Sequence, residues 1–122
     1  MNDRLFAPHV IYLAISIILG VFGQLQFKLG ANQLDFSSVA NVFRNNQNLF
    51  CGVFLYGVSL VFYILSLKRI PLSIAFPAVS TSYIGVVLMA HFFLHESLNG
   101  IHIIGLIMII AGVSCLGIAG LR

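Results

Sequence analysis

Residues 8–30 read PHVIYLAISIILGVFGQLQFKLG, an almost unbroken apolar run. A helix needs about 20 mostly apolar residues to cross the hydrocarbon core of a bilayer, at a rise of about 1.5 Å per residue. The run meets that length. It also exceeds the apolar region of about 7–15 residues in a signal peptide, and no small-x-small cleavage site closes it. It therefore predicts a retained transmembrane helix.

Polar and small residues recur along one face of this predicted helix. Ser16, Gly20, Gln24 and Lys28 follow one another at i, i+4 spacing, which places them in one row. With Leu19 as the midpoint, Gln24 lies about 7 Å and Lys28 about 13 Å along the axis. The hydrocarbon half-thickness is about 15 Å, so Lys28 is expected near the interface, at the height of lipid phosphates. The row fits either a groove for a polar ligand or a helix-packing seam that ends in a snorkelling lysine.

The composition of the whole chain is that of a membrane protein. Of its 122 residues, 60% are hydrophobic and 7% are charged, against about 25% charged in a soluble protein. A soluble domain of this size exposes too much of its surface to hide so many apolar side chains. The net charge of +3 is scattered and forms no Lys/Arg run, so we expect no nucleic-acid partner. Cys51 and Cys115 fall in apolar segments and are interpreted as packing residues.

Four segments are long and apolar enough to span a bilayer: residues 8–30, 48–67, 71–94 and 98–120. The predicted fold is an all-α integral membrane protein, a single domain of four transmembrane helices over residues 1–122. Short connections make neighbouring helices antiparallel, so both termini lie on the side of the turn after the second segment. That side collects more basic residues than the other, and the positive-inside rule then predicts cytoplasmic termini. The bias is Arg4, Lys68, Arg69 and Arg122 against Lys28 and Arg44.

The third segment is the least lipid-like of the four. Pro77 removes a backbone hydrogen bond and clashes with the preceding turn, which predicts a kink. We assign Pro77 and Gly85 as a candidate hinge. The hydroxyl groups between them, which include those of Ser80 and Tyr83, either satisfy carbonyls that the kink frees or line a cavity.

Small residues recur every seven positions in the fourth segment, at Gly105, Gly112 and Ala119. Such residues on one face let two helix backbones approach closely within a bilayer. Four helices can hardly enclose a path by themselves. We therefore predict dimerisation through this face.

Acidic residues avoid the middle of every predicted span: Asp3, Asp35 and Glu96 all lie near or beyond the ends. Ion-coupled transporters commonly hold an ionisable group inside the membrane. His91, near the end of the third segment, is interpreted as a packing residue rather than a proton relay. The sequence has no metal-ligand spacing, no glycine-rich phosphate loop and no nucleophile with a plausible base, so we expect no enzymatic activity, no metal and no cofactor.

Two longer patterns carry a resemblance to a known group. IPLSIAFP at residues 70–77 and IGLIMIIAGV at residues 104–113 are similar to four-helix proteins of the drug/metabolite transporter superfamily, which includes the small multidrug resistance proteins. Within that superfamily, three motifs of this chain most resemble the branch of aminoarabinose-phosphoundecaprenol flippase subunits and short EamA-type proteins. They are Gly23-Gln24-x-x-x-Lys28, Ala75-Phe-Pro77-x-x-Ser80 and His95-Glu96. The resemblance covers essentially the whole chain.

The resemblance implies a dimer, commonly antiparallel, in which three helices of each protomer line a chamber and the fourth dimerises. Gly105 and Gly112 would lie on that dimer seam, and residues 77–85 would be the kinked part of the third helix. Multidrug members carry a glutamate in the first helix, where this chain has Gly20, and a tryptophan in the third, whereas this chain has none. Without that carboxylate a lipophilic cation lacks its counter-charge, which argues against proton-coupled drug export.

The leading hypothesis is a lipid flippase subunit in a bacterial inner membrane, which moves a polyprenyl-phosphate-linked sugar for lipopolysaccharide modification. The predicted substrate-binding residues are Gln24, Lys28, Ser80 and Tyr83, with Lys28 as the phosphate contact. The expected partners are membrane lipid, the lipid-linked sugar and a second four-helix subunit, identical or related. The alternatives are a small multidrug-type exporter of amphipathic compounds and an accessory subunit of another membrane protein.

Overall fold

The computed structural model describes residues 3–34 and 46–120, with side chains described from residue 7 onward. These ranges form five α-helices: α1 (Asp3–Ala31), α2 (Gln47–Ser66), α3 (Leu72–Val79), α4 (Ser82–Leu94) and α5 (Gly100–Gly120). Helices α3 and α4 form one span across a short break. Within the described ranges, four segments are long and apolar enough to cross a membrane: Ala7–Ala31, Gln47–Ser66, Leu72–Leu94 and Gly100–Gly120. The predicted all-α membrane fold is confirmed.

The break in the third span interrupts what the sequence predicted as one helix over residues 71–94. Ser80 N–H donates to Pro77 O at 2.9 Å, and Thr81 N–H donates to Ala78 O at 3.1 Å, which are the i→i+3 bonds of a 3₁₀ turn. The Thr81 hydroxyl donates to the same Ala78 carbonyl at 2.7 Å. Pro77 has no N–H and its ring crowds the carbonyl of the preceding turn, so the α-helical ladder loses a bond there. The break lies between the predicted hinge residues Pro77 and Gly85.

Large apolar side chains cover the outside of the protein. Phe54 is 70% exposed, Ile101 77% and Met108 69%. Exposed to water, this surface would cost roughly 25 cal/mol for each Å². Lipid tails are as apolar as these side chains, so the same surface costs nothing in a bilayer.

Helix α1 is the centre of the protein, since it packs along α2 and also contacts α4 and α3. Glycines allow its close approach to α2. A Cβ atom at Gly23 would lie 3.2 Å from Tyr56 N, and one at Gly52 would lie 3.1 Å from Gly23 O. Van der Waals packing of this kind holds helices together where no hydrophobic driving force acts between them.

Three side-chain hydrogen bonds also join α1 to α2, one near each end and one in the middle. They are Asn46 Nδ2 to Gly30 O at 2.7 Å, Ser59 Oγ to Ser16 O at 2.7 Å, and His9 Nδ1 to Leu65 O at 3.0 Å. The Asn46 side chain also accepts from the N–H of Leu49 at 3.2 Å and so caps α2. These bonds fix the register of the antiparallel pair, and with it the polar row on α1.

Helix α5 stands apart from the other helices. None of its residues is buried, and its main contact in the described part of the chain is with α3. A Cβ atom at Gly105 or Gly112 would have no neighbouring heavy atom within 4 Å, and Ala119 is exposed. The face that the sequence predicted as a dimer seam is therefore open in one protomer, and the dimer itself stays a prediction.

Candidate functional site

Two adjoining cavities lie along the polar row of α1. The outer cavity, between α1 and α4, has a volume of about 200 Å³ and includes Lys28 and Glu96 in its lining. The deep cavity has a volume of about 220 Å³, is lined by α1, α2, α3 and Ser82, and reaches Ser16 and Gly20 near the middle of α1. Gln24 lines both cavities. The row of small and polar residues thus runs from the deep cavity to the outer cavity, with Gln24 where the two adjoin.

The outer cavity combines an ion pair with apolar walls. Lys28 Nζ and Glu96 Oε1 are 3.7 Å apart, and each side chain is 52% exposed. It is the one salt bridge among the side chains that the structure describes, those of residues 7–34 and 46–120. The separation exceeds that of a good hydrogen bond, and exposed ion pairs contribute only about 0.2–1 kcal/mol. The pair therefore costs little to open. The remaining lining residues are Val21, Gln24, Leu25, Val86, Met89, Ala90 and Leu94.

A tight turn after α4 positions Glu96. His95 has φ 55° and ψ 30°, in the left-handed region that non-glycine residues rarely adopt. The Glu96 N–H donates to Ala90 O at 3.2 Å. The Glu96 carbonyl lies 2.9 Å from His91 Nδ1, and because a carbonyl only accepts, this nitrogen carries the proton. These backbone contacts, rather than the ion pair of the Glu96 carboxylate with Lys28, keep Glu96 beside the end of α1.

The deep cavity carries hydroxyl groups but no charged side chain among its lining residues. Two of these hydroxyls are already engaged, since Ser16 Oγ donates to Leu13 O at 2.9 Å and Ser59 Oγ donates to Ser16 O. The Tyr63 hydroxyl is buried and has no hydrogen-bond partner within the described ranges, which is rare for a buried polar atom. Gly20 also lines this cavity.

The structure brings together only two of the four predicted substrate-binding residues. Gln24 and Lys28 both line the outer cavity, whereas Ser80 and Tyr83 line neither cavity. Tyr83 is 59% exposed, and its neighbour Ser82 is the residue that turns into the deep cavity. One residue along a helix is a rotation of about 100°, so adjacent residues face different surroundings. Substrate contact by Ser80 and Tyr83 stays a prediction.

Glu96 lines the outer cavity although the sequence alone did not predict it as a site residue. A signal for it was present, because antiparallel spans put the end of the third helix on the same side as the end of the first. Of the chain's three acids, only Glu96 has a described side chain, and it lies beside the one lysine of α1. The charge of Lys28, at the end of the first span, is therefore balanced by an acid that follows the third span.

Known proteins similar to this chain are transporter subunits. A sequence model of the EamA-like transporter family matches residues 4–118. A protein of Sodalis glossinidius named "Probable 4-amino-4-deoxy-L-arabinose-phosphoundecaprenol flippase subunit ArnE" is 32% identical over 112 residues, 89% of this chain and 98% of that protein. A Pseudomonas fluorescens protein of the same name is 33% identical over 69 residues, 57% of this chain and 60% of that protein.

A second kind of flippase subunit is also similar. A Shewanella sediminis protein named as the probable subunit ArnF is 39% identical over 64 residues, 51% of this chain and 44% of that protein. No solved structure matches this chain. The family match covers nearly all of the sequence and agrees with the four spans of the structure. The chain therefore belongs to the EamA-like transporter family.

Proposed function

We propose that this protein is a subunit of a lipid flippase that moves a polyprenyl-phosphate-linked sugar across the bacterial inner membrane, for modification of cell-envelope glycans. The observation that carries the proposal is the position of Lys28 in the outer cavity. Measured from Leu19, the midpoint of the Ala7–Ala31 span, Lys28 is about 13 Å along the axis, close to the hydrocarbon boundary at about 15 Å. An ammonium group at this height can donate hydrogen bonds to a lipid phosphate.

The size and lining of the outer cavity suit a head group rather than a whole lipid. Its volume of about 200 Å³ is below the roughly 300–1,000 Å³ of most small-molecule sites. The amide of Gln24 offers both donors and an acceptor to sugar hydroxyls, and the polyprenyl chain stays in the bilayer. The relatives named as aminoarabinose-phosphoundecaprenol flippase subunits support this class of substrate.

The orientation of the chain follows from the same proposal. Four antiparallel spans put Lys28 on the side opposite both termini, so cytoplasmic termini place the outer cavity at the outer leaflet, where the lipid is released. A Lys28→Cys variant in a chain without Cys51 and Cys115 tests this orientation. An impermeant thiol reagent should label it from outside intact cells, and labelling only after lysis would reverse the topology.

Assembly with a second four-helix subunit, identical or related, completes the proposed transporter. Replacing Gly112 by leucine is expected to weaken the dimer about tenfold or more, because the added side chain separates two closely packed backbones. The protomer itself should be unaffected, since a Cβ atom at Gly112 meets nothing within 4 Å. Gly117→Leu is the matched control, as it is equally open but lies off the Gly105–Gly112–Ala119 row. Equal oligomer populations for both variants on size analysis would place the seam elsewhere.

A translocation assay in liposomes tests the proposed function. The full chain is reconstituted alone and with the four-helix subunit that co-purifies with it, in vesicles that hold a lipid-linked aminosugar. An impermeant reagent then reports the fraction of head groups on the outer leaflet over time. We expect exchange between leaflets to be faster than in empty vesicles or with an unrelated four-span protein. Unchanged exchange in both reconstitutions would reject the flippase function.

A further inference from the structure

We propose that Glu96 forms an ammonium subsite beside Lys28, so that the outer cavity selects head groups that carry both a phosphate and a primary ammonium. The inference rests on the proposed function, in which Lys28 contacts the lipid phosphate. Two membrane components have this chemistry: an aminosugar linked to a polyprenyl phosphate, and phosphatidylethanolamine. Two carbon atoms separate the ammonium from the phosphate oxygen in phosphatidylethanolamine, and one sugar ring separates them in a 4-amino-4-deoxypentose phosphate.

The spacing of the ion pair favours a ligand that carries an ammonium as well as a phosphate. Glu96 Oε1 is 3.7 Å from Lys28 Nζ, so a phosphate bound to Lys28 stands directly beside a carboxylate. Two anions in contact repel, more strongly at a membrane boundary than in bulk water. A head group with phosphate alone must bind against this repulsion. A head group that also carries an ammonium exchanges the single ion pair for two, one to each side chain.

The backbone of Glu96 is anchored beside the end of α1. The carboxylate can rotate about its own side-chain bonds, but its backbone is held by the left-handed turn at His95 and by the bonds to Ala90 and His91. On the other side of the loop, the backbone and side-chain groups of Asn99 and His102 bond to each other at 3.0 Å and 3.3 Å. These bonds hold the backbone of Glu96 beside the end of α1, so a phosphate on Lys28 approaches the carboxylate, and a ligand ammonium is the direct way to compensate it.

Paired ligands that differ only at the amine test the subsite. The purified full chain, in phosphatidylcholine nanodiscs with its co-purifying subunit, is titrated with phosphatidylethanolamine and its N-acetyl derivative, then with a polyprenyl phosphate aminopentose and its N-acetyl derivative. We expect at least one amine ligand to bind about tenfold or more tightly than its N-acetyl partner, which corresponds to about 1.4 kcal/mol. The pair that shows the preference identifies the source of the head group. No preference in either pair overturns the proposal.

Substitutions at Glu96 separate a subsite from a merely structural role. Glu96→Gln should bring the ratio of affinities between an amine ligand and its N-acetyl partner close to one. Glu96→Asp, which keeps the charge, should retain most of the preference for the amine ligand. Equal weakening of both ligands of a pair by Glu96→Gln would mean that Glu96 only shapes the cavity, which overturns the proposal. If Lys28→Ala weakens all ligands while Glu96→Gln leaves the ratio intact, only the ammonium subsite fails. If Lys28→Ala weakens the binding of no ligand, both the ammonium subsite and the phosphate site of the proposed function fail.

Discussion

Replacing Lys28 by alanine is expected to lower both lipid head-group affinity and the translocation rate by roughly 10–100-fold. A hydrogen bond to a charged group contributes about 1.5–3 kcal/mol, and each 1.4 kcal/mol is a factor of about ten. The substitution also leaves Glu96 without its partner at 3.7 Å, so an unpaired carboxylate would face the phosphate. Gln24 and the apolar walls are untouched, so some residual binding should remain.

Two further variants serve as controls for Lys28→Ala. Lys68→Ala removes an exposed lysine at the opposite end of the spans, and we expect binding and translocation to stay as in the unmodified protein. Lys28→Arg keeps the charge and should retain much of the activity. Unchanged binding and translocation in Lys28→Ala would remove Lys28 from the mechanism and leave only the interpretation of a snorkelling lysine.

Replacing Gly52 by leucine is expected to destabilise the protomer by about 1–3 kcal/mol, because the new side chain overfills a packed contact. A Cβ atom at Gly52 would lie 2.8 Å from Phe27 Cδ1 and 3.1 Å from Gly23 O. The carbonyl belongs to the backbone of α1, so α1 and α2 would have to separate. The interhelical hydrogen bonds of the pair, such as Ser59 to Ser16, would then lengthen together.

Gly57→Leu is the control for the packing prediction. It lies on the same helix, one and a half turns away, and a Cβ atom there meets nothing within 4 Å. Thermal unfolding of the detergent-solubilised protein, followed by circular dichroism, should show a lower midpoint for Gly52→Leu alone. Equal midpoints for the two variants would contradict the close packing of α1 on α2.

The membrane fold could be predicted from the sequence because it depends on local properties. Length and apolarity decide whether a helix can span a bilayer, and both can be counted along the chain. The predicted helix ends were less accurate where a helix extends beyond the hydrocarbon core. Helix α1 begins at Asp3 rather than at residue 8, because residues outside the apolar region extend it without lengthening the span.

The site was predicted only in part because it depends on how the helices rotate against each other. The i, i+4 row on α1 lies within one helix, so its common face could be predicted. The direction of Ser80 and Tyr83 depends on the break at Ser80–Thr81, where i→i+3 bonds change the rotation of the chain. Helix α4 is apolar on almost all sides, so its sequence has no polar face that would indicate which side packs inward.

The role of Glu96 needed tertiary structure. The His95-Glu96 motif takes part in the family resemblance, but nothing in the immediate sequence shows that this acid lies in a cavity. Its neighbour Lys28 is 68 positions earlier in the chain and is brought near by the contact of α1 with α4. The topology alone placed both residues on one side of the membrane, but only the distance between their charged groups makes them parts of one cavity.

Photocrosslinking tests most directly whether the end of α1 binds the lipid head group. A lipid-linked aminosugar that carries a photoreactive group beside its phosphate is added to the reconstituted protein, and the labelled peptides are mapped by mass spectrometry. We expect label on the segment from Gln24 to Lys28 and on the loop that contains Glu96, displaced by excess unlabelled lipid. Label confined to the Tyr83 side of α4, or to α5, would contradict the proposed site.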